Sequence, residues 1–170
     1  VRLQFTDING MLKNIAVTQY KILEKKIKTF ETLLLTVESY FDMINASLID
    51  HPFLAKTGDK PPAVVAVTSD SGLLGGLNMQ VVGHAIQEVE KKPGGRLIVI
   101  GERGKSYVKE SKIPFVAFSG IKDEQRLEQA LQLRDYLMEK LLGGAFGSLK
   151  VVYPRPVTFT VQRVETLTFI

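Results

Sequence analysis

The sequence predicts an α/β fold, a Rossmann-like and mainly parallel sheet with helices on both faces, preceded by a long N-terminal coiled-coil helix. Apolar residues of the first fifty positions recur at alternating spacings of four and three, which is a heptad period. After residue 62, short β-branched runs alternate with amphipathic helical patterns. We therefore divide the chain into a long coiled-coil helix (1–50), a connection (51–62) and a Rossmann-like domain (63–170).

The N-terminal helix carries an unbroken apolar heptad seam. Its members are Ala16, Tyr20, Leu23, Ile27, Phe30, Leu34, Val37, Phe41, Ile44 and Leu48. Ile8, Leu12 and Ile15 extend the apolar stripe upstream, although Asn9-Gly10 weakens the helical pattern there. A helix from residue 7 to 48 would be about 60 Å long. No later segment has a matching length, so we expect another segment or chain to cover the seam; the alternative is a break near Gln19 that folds the helix back.

The remaining elements follow from local pattern and turn chemistry. Prolines and Gly58 between His51 and Pro62 indicate a connection. The predicted strands are Ala63–Thr68, Leu97–Ile100, Pro114–Phe118, Lys150–Tyr153 and a half-exposed strand within Pro156–Ile170. The predicted helices are Leu77–Lys91 and Asp123–Leu142, with a short helix or turn at Gly104–Ser111. In the last helix we expect an inward face of Leu127, Ala130, Leu131, Leu137, Met138 and Leu141, with Gly143-Gly144 ending it.

Composition excludes several classes of function. The 170 residues include no cysteine and two histidines, which excludes disulfide scaffolds, thiolate zinc sites and cysteine nucleophiles. The net charge of +4 forms no dense basic stripe, so nucleic-acid binding is not expected. The longest stretch without a charged residue, Ser71–Gln87, is rich in glycine and polar residues and does not read as a membrane span. We expect no catalytic residue, no metal ligand and no bound cofactor.

The loop after the first strand, Ser69–Asn78, lies where dinucleotide-binding domains hold phosphate. Its glycines follow G-x-x-G-G and match neither dinucleotide nor P-loop spacing. Glu102, just after the second strand, keeps a ribose-binding alternative open. The favoured interpretation is that the glycines permit a tight turn and close packing, with Asp70 capping amides of the loop.

The same loop resembles the signature of gamma subunits of F-type ATP synthases, S/T-D-R-G-L-C-G-G-L-N. The matching residues are Asp70, Gly72, Leu73, Gly75, Gly76, Leu77 and Asn78. His51–Leu54 resembles the family's H-P-[FY]-L, and Ile98–Gly104 resembles its second strand and I-G-x-[KR]-G turn. The last strand, Tyr153 to Leu167, is also similar. Ser71 and Leu74 replace the family's Arg and Cys.

The resemblance implies a rotor without catalytic residues. In this family the N-terminal helix pairs with a long C-terminal helix as a shaft inside the ring of alpha and beta subunits. The α/β domain forms its foot and meets the epsilon subunit and the membrane rotor ring. Proton- or sodium-driven rotation would change the nucleotide affinity of the beta subunits. The protein would lie on the cytoplasmic face of an energy-transducing membrane, or on the matrix or stroma side in an organelle.

Two sets of residues are accordingly expected at subunit interfaces. From the seam they are Leu23, Ile27, Phe30, Leu34, Val37, Phe41 and Ile44. From the loop they are Asp70, Ser71, Gly72, Leu74, Gly75, Gly76 and Asn78. Two other interpretations stay open at this point. One is a nucleotide- or small-molecule-binding Rossmann domain with an oligomerising helix, and the other is a scaffold whose helix pairs with its own copy.

Overall fold

A computed structural model of the chain describes residues 2–43, 59–71, 76–122, 124–158 and 160–169. The chain separates into two compact units, Val1–Asp50 and His51–Ile170. The first unit holds helix α1 (Arg2–Asp42). The second holds β1 (Pro62–Val67), α2 (Leu77–Glu90), β2 (Arg96–Ile100), α3 (Glu102–Ser111), β3 (Phe115–Phe118), α4 (Arg126–Leu142), β4 (Ser148–Pro156) and β5 (Gln162–Thr168).

Helix α1 begins earlier than predicted and continues through Asn9-Gly10 without a break. One glycine costs a helix about 1 kcal/mol relative to alanine, and the helix formers on either side outweigh that cost. The alternative of a break near Gln19 is also wrong, because the same helix spans that residue. The predicted end of the helix, residues 44–48, lies outside the described residues.

The second unit is built on a five-stranded sheet of order β3-β2-β1-β4-β5. The first four strands are parallel, whereas β5 is antiparallel to β4. This confirms the predicted mainly parallel sheet. Strand β4 is longer than predicted and includes Pro154 and Pro156. Those prolines lie beyond Val152, the last β4 residue paired with β1, so only β5 borders them and the missing N–H groups are tolerated.

Helices cover both faces of the sheet, as predicted. On one face α2 and α3 bury an aliphatic cluster that includes Val64, Val81, Ala85, Val99 and Val108. On the other face α4 packs over alternate strand residues such as Val65 and Ile98, together with Phe146. The strand side chains alternate between the two clusters, which is why β1 and β2 read as continuous apolar runs.

The inward face of α4 differs from the prediction. Leu133, Tyr136, Leu137 and Leu141 pack towards the sheet, and Tyr136 meets Phe118 edge-on at 5.5 Å between ring centroids. Leu127, Ala130 and Leu131 were predicted to face inward, but they are exposed. The helix carries two apolar rows, and only one of them can face the sheet. Its predicted end is confirmed, because Gly144 adopts a φ of 73° and the amides of Gly144 and Ala145 donate to the carbonyls of Leu141 and Lys140.

Candidate functional site: an exposed seam and a signature loop

The heptad seam of α1 is solvent-exposed at the five large side chains from Leu23 to Val37, whereas Tyr20 is half-buried. Exposed fractions are 54% for Leu23, 44% for Ile27, 59% for Phe30, 44% for Leu34 and 40% for Val37. Phe41 lies in α1, but its side chain is outside the described set, and Ile44 is outside the described residues altogether. A continuous apolar strip of this kind is typical of a surface that another chain or segment covers.

The signature loop begins by capping a helix that lies far away in the sequence. Residues 68–70 leave β1 and meet the first turn of α3, whose initial amides have no partner within their own helix. The amide of Glu102 donates to Asp70 Oδ1 at 3.0 Å, and the amide of Arg103 donates to the Ser69 carbonyl at 3.1 Å. The amide of Gly104 donates to Thr68 Oγ1 at 3.0 Å. Three consecutive residues therefore satisfy three consecutive helix amides in reverse order.

The close approach of these segments requires glycine on the α3 side. A Cβ at Gly104 would lie 2.4 Å from Thr68 Oγ1, and one at Gly101 would lie 2.5 Å from the Thr68 carbonyl oxygen. Gly101 also adopts a φ of 100°, which L-residues rarely take. The hydroxyl of Thr68 donates onward to the Ile100 carbonyl at 2.5 Å. The capping geometry thus explains why the I-G-x-[KR]-G motif between β2 and α3 has glycine at positions 101 and 104.

Asp70 also holds the loop that follows β3. Its Oδ1 accepts the amide of Gly120 at 3.0 Å, in addition to that of Glu102. A Cβ at Gly120 would lie 2.3 Å from that same oxygen, so a side chain has no room there. Gln129 of α4 braces this loop by donating to the Gly120 carbonyl and accepting the amide of Lys122. One carboxylate therefore joins the exits of three neighbouring parallel strands.

The signature loop is closed at its base by Asn78. The amide of Ser69 donates to Asn78 Oδ1 at 3.1 Å, and Asn78 Nδ2 donates to Ser69 Oγ at 2.9 Å. Asn78 is 4% exposed and lies in the first turn of α2. The Ser69 hydroxyl in turn donates to the Ser71 carbonyl at 2.7 Å. The two ends of the loop are thereby locked together.

The predicted interface residues of the loop fall into different environments. Asp70, which is exposed, and Asn78, which is buried, use their side chains in hydrogen bonds within the domain; Ser71 and Gly76 are also exposed. Gly72, Leu74 and Gly75 lie outside the described residues. Asp70 was expected to cap amides of its own loop; the bonds that the structure gives it reach α3 and the loop after β3 instead. The assignment of these residues to a subunit interface stays a prediction.

Sequence reasoning missed the roles of Thr68, Gly120 and Gln129. Their contacts span 36 positions between Thr68 and Gly104, and 50 between Asp70 and Gly120. No local pattern encodes such pairing. The signal that was present is a glycine directly after β2, Gly101, and another two residues after β3, Gly120, which indicate close backbone approach at the carboxyl edge of the sheet.

Among the described residues, this edge of the sheet has few features that would suit catalysis or the binding of a cofactor. The carboxylate of Glu102, considered above for a ribose, pairs with Lys105 at 3.1 Å. A cavity of about 130 Å³ beside the ends of β2 and β3 is smaller than typical cofactor pockets of roughly 300–1,000 Å³. Within the described ranges, no group of three or more metal-ligating side chains is present. None of the described helices is long and apolar enough to cross a membrane.

An exposed apolar heptad helix in the same chain as a Rossmann-like domain is typical of the class of proteins that assemble with other chains. A family model described as ATP synthase matches residues 5–170. The gamma chain of ATP synthase from Clostridium beijerinckii is 30% identical over 105 residues, covering 61% of this chain and 37% of that protein. The gamma chain from Symbiobacterium thermophilum is 30% identical over 123 residues, covering 70% and 43% respectively.

A solved structure has the same fold. It is a chain in the cryo-EM structure of the Tetrahymena thermophila mitochondrial ATP synthase, central stalk and c-ring, with a TM-score of 0.57 and 18% identity. The match covers 68% of this chain and 52% of that one. The chain belongs to the gamma-subunit family of ATP synthases. It spans less than half the length of the two gamma chains compared above.

Proposed function

We propose that this chain is part of the gamma subunit, the central stalk and rotor, of a proton- or sodium-translocating F-type ATP synthase. Helix α1 contributes to the shaft and the α/β domain forms the foot. The proposed partners are the alpha and beta subunits, the epsilon subunit and the membrane rotor ring. The chain itself has no catalytic role. Its place is the cytoplasmic face of an energy-transducing membrane, or the matrix or stroma side in an organelle.

The exposed seam is the observation that carries this proposal. Leu23, Phe30 and Leu34 lie on one side of a 41-residue helix with about half of each side chain open to solvent. A coiled-coil partner buries such residues as knobs in the holes of the facing helix. A paired seam also resists twisting and bending better than one helix. That property suits a shaft that couples rotation at the membrane to the nucleotide affinity of the beta subunits.

The fixed loop base supports a docking role for the foot. Because residues 68–70 and Asn78 are bonded to α3, to the loop after β3 and to each other, the two described ends of the loop are held at a defined position on the sheet. Binding surfaces placed by a rigid scaffold lose less conformational entropy on association. Ser71, exposed at the start of the loop, replaces the family's Arg, and we expect it to face a neighbouring subunit.

The test is purification of the native protein from its own cells, with mass spectrometry of the bound proteins. The wild type is compared with Leu34→Asp on the seam and with Leu35→Asp, a matched control off the seam whose native side chain is 65% exposed. We expect alpha and beta subunits with the wild type and Leu35→Asp, and their loss with Leu34→Asp. A wild-type protein free of synthase subunits would refute the proposal. Equal loss in both variants would show that the seam is not the contact surface.

A further inference from the structure

The two flanks of the α1 seam differ in chemistry. On one flank Glu24, Glu31 and Glu38 recur every seven residues, so three carboxylates follow the seam over about 21 Å. The positions that mirror them across the seam are Gln19, Lys26, Leu33 and Tyr40. The seam is therefore acidic along one edge and mainly apolar or neutral along the other.

The carboxylates are placed to interact with a covering helix. In a coiled coil the positions beside the seam form the ion pairs that set partner choice and orientation. Glu31 and Glu38 are exposed, and the Glu24 side chain is 45% exposed although it pairs with Lys28 at 3.3 Å. That pair lies within one helix at the surface, so a cation from a partner can compete with it.

A second copy of α1 fits this pattern poorly. In an antiparallel pair the acidic flank of one helix faces the acidic flank of the other, which places like charges together. In a parallel pair the acidic flank faces the mirror positions of the other copy, where Lys26 is the single cation. Self-association therefore brings a cation of the second copy to at most one of the three carboxylates in each register.

We propose that the helix covering the α1 seam carries a line of Lys or Arg residues against Glu24, Glu31 and Glu38, a pattern that a second copy of α1 does not offer. This inference rests on the proposed shaft function and specifies the chemistry of the shaft partner. The apolar seam supplies the affinity of the pair, and the line of ion pairs selects the partner and its register. A helix with acidic flanks is rejected by like-charge repulsion.

The test measures binding of two synthetic helical peptides to the full 170-residue chain. Both peptides have the same Leu/Ile seam of about four heptads; one carries Lys on both flanks and the other carries Glu. Charging both flanks makes the comparison independent of helix orientation. We expect the Lys-flanked peptide to bind about tenfold tighter or more, as three surface ion pairs imply, and the preference to shrink at high salt.

Two variants with equal change in net charge locate the effect. Replacement of Glu24, Glu31 and Glu38 by Gln should abolish the preference for the Lys-flanked peptide. Replacement of Thr18, Thr32 and Ser39 by Lys adds the same net charge on the outer face, where it should leave the Lys-flanked peptide preferred. Glutamine and lysine are both good helix formers, and circular dichroism checks that α1 is retained in each variant.

The outcomes separate this inference from the proposed function. Equal binding of both peptides, or tighter binding of the Glu-flanked one, would overturn the charge selection while leaving the seam as a helix-binding surface. Failure of both peptides to bind would overturn the inference and the coiled-coil shaft together. A preference that persists in the Gln variant would show that other charges on the chain cause it.

Discussion

Thr68→Val removes one hydroxyl oxygen from the contact between the signature loop and α3. The expected loss of stability can be worked out from the geometry of that contact. Thr68 is 8% exposed, its hydroxyl accepts the Gly104 amide at 3.0 Å, and valine has nearly the same shape. The variant leaves that buried amide unpaired, whereas the Ile100 carbonyl keeps the Thr68 amide as a donor at 2.9 Å. An unsatisfied buried amide costs about 1–3 kcal/mol. For a domain of this size each kcal/mol lowers Tm by roughly 3–6 °C.

The assay combines urea unfolding with hydrogen exchange of the first amides of α3. We expect a lower free energy of unfolding and faster exchange at Gly104. The control is Thr68→Ser, which keeps the hydroxyl and loses one buried methyl group, at a cost of about 1 kcal/mol. If the valine variant is at least as stable as the serine variant and Gly104 exchanges as slowly as in the wild type, the loop does not cap α3 in the way described.

Three further changes test other parts of the domain. Gly120→Ala should destabilise by about 1–3 kcal/mol in urea unfolding, because its Cβ would lie 2.3 Å from the Asp70 carboxylate; an unchanged midpoint would contradict this contact. Gly83→Ala, on α2 with open space around the added Cβ, should instead stabilise by up to about 1 kcal/mol, and a loss would mean that the site is packed. The Glu88 carboxylate accepts hydrogen bonds from Lys150, at 2.6 Å, and from Lys91. The bond from Lys150 has the larger effect, and together the two bonds lower the pKa of Glu88 although its burial acts in the opposite direction. A lowered carboxyl pKa stabilises the fold above the ordinary glutamate range and loses that contribution as pH falls through the folded-state value. Glu88→Gln should therefore reduce stability at pH 7 and flatten its decline below about pH 4.3, as measured by urea unfolding across pH; parallel profiles would contradict the link.

The elements that the sequence predicted well have strong local signals. Strands β1 and β2 are continuous β-branched runs between turn residues, and α1 and α2 have clear apolar periodicity, so their type and order follow from pattern. The prediction of the inward face of α4 was wrong because the helix has two apolar rows, and only its packing against the sheet decides which row is buried. The hydrogen bonds from residues 68–70 to α3 could not be predicted from the sequence for a similar reason. They depend on which strands are neighbours, and the sheet order places β1 beside β2.

The signature loop and the α1 seam differ in whether their side chains bond within the chain or are exposed. This difference allows effects of substitutions on folding to be distinguished from effects on assembly. Thr68, Asp70 and Asn78 direct their polar atoms at other parts of the same domain, so their substitution acts first on stability. Ser71 is exposed, and its backbone carbonyl is what the Ser69 hydroxyl holds, so its side chain can change without disturbing that bond. The seam residues Leu23, Ile27, Phe30, Leu34 and Val37 are also exposed, and they belong to neither of the two buried clusters of the α/β domain. A variant that lowers stability therefore reports on the loop base, whereas a variant that spares stability and loses partners reports on Ser71 or the seam. Substituting residues 68–78 one at a time would show which of them affect stability and which affect partner binding, and so where the scaffold ends and the contact surface begins.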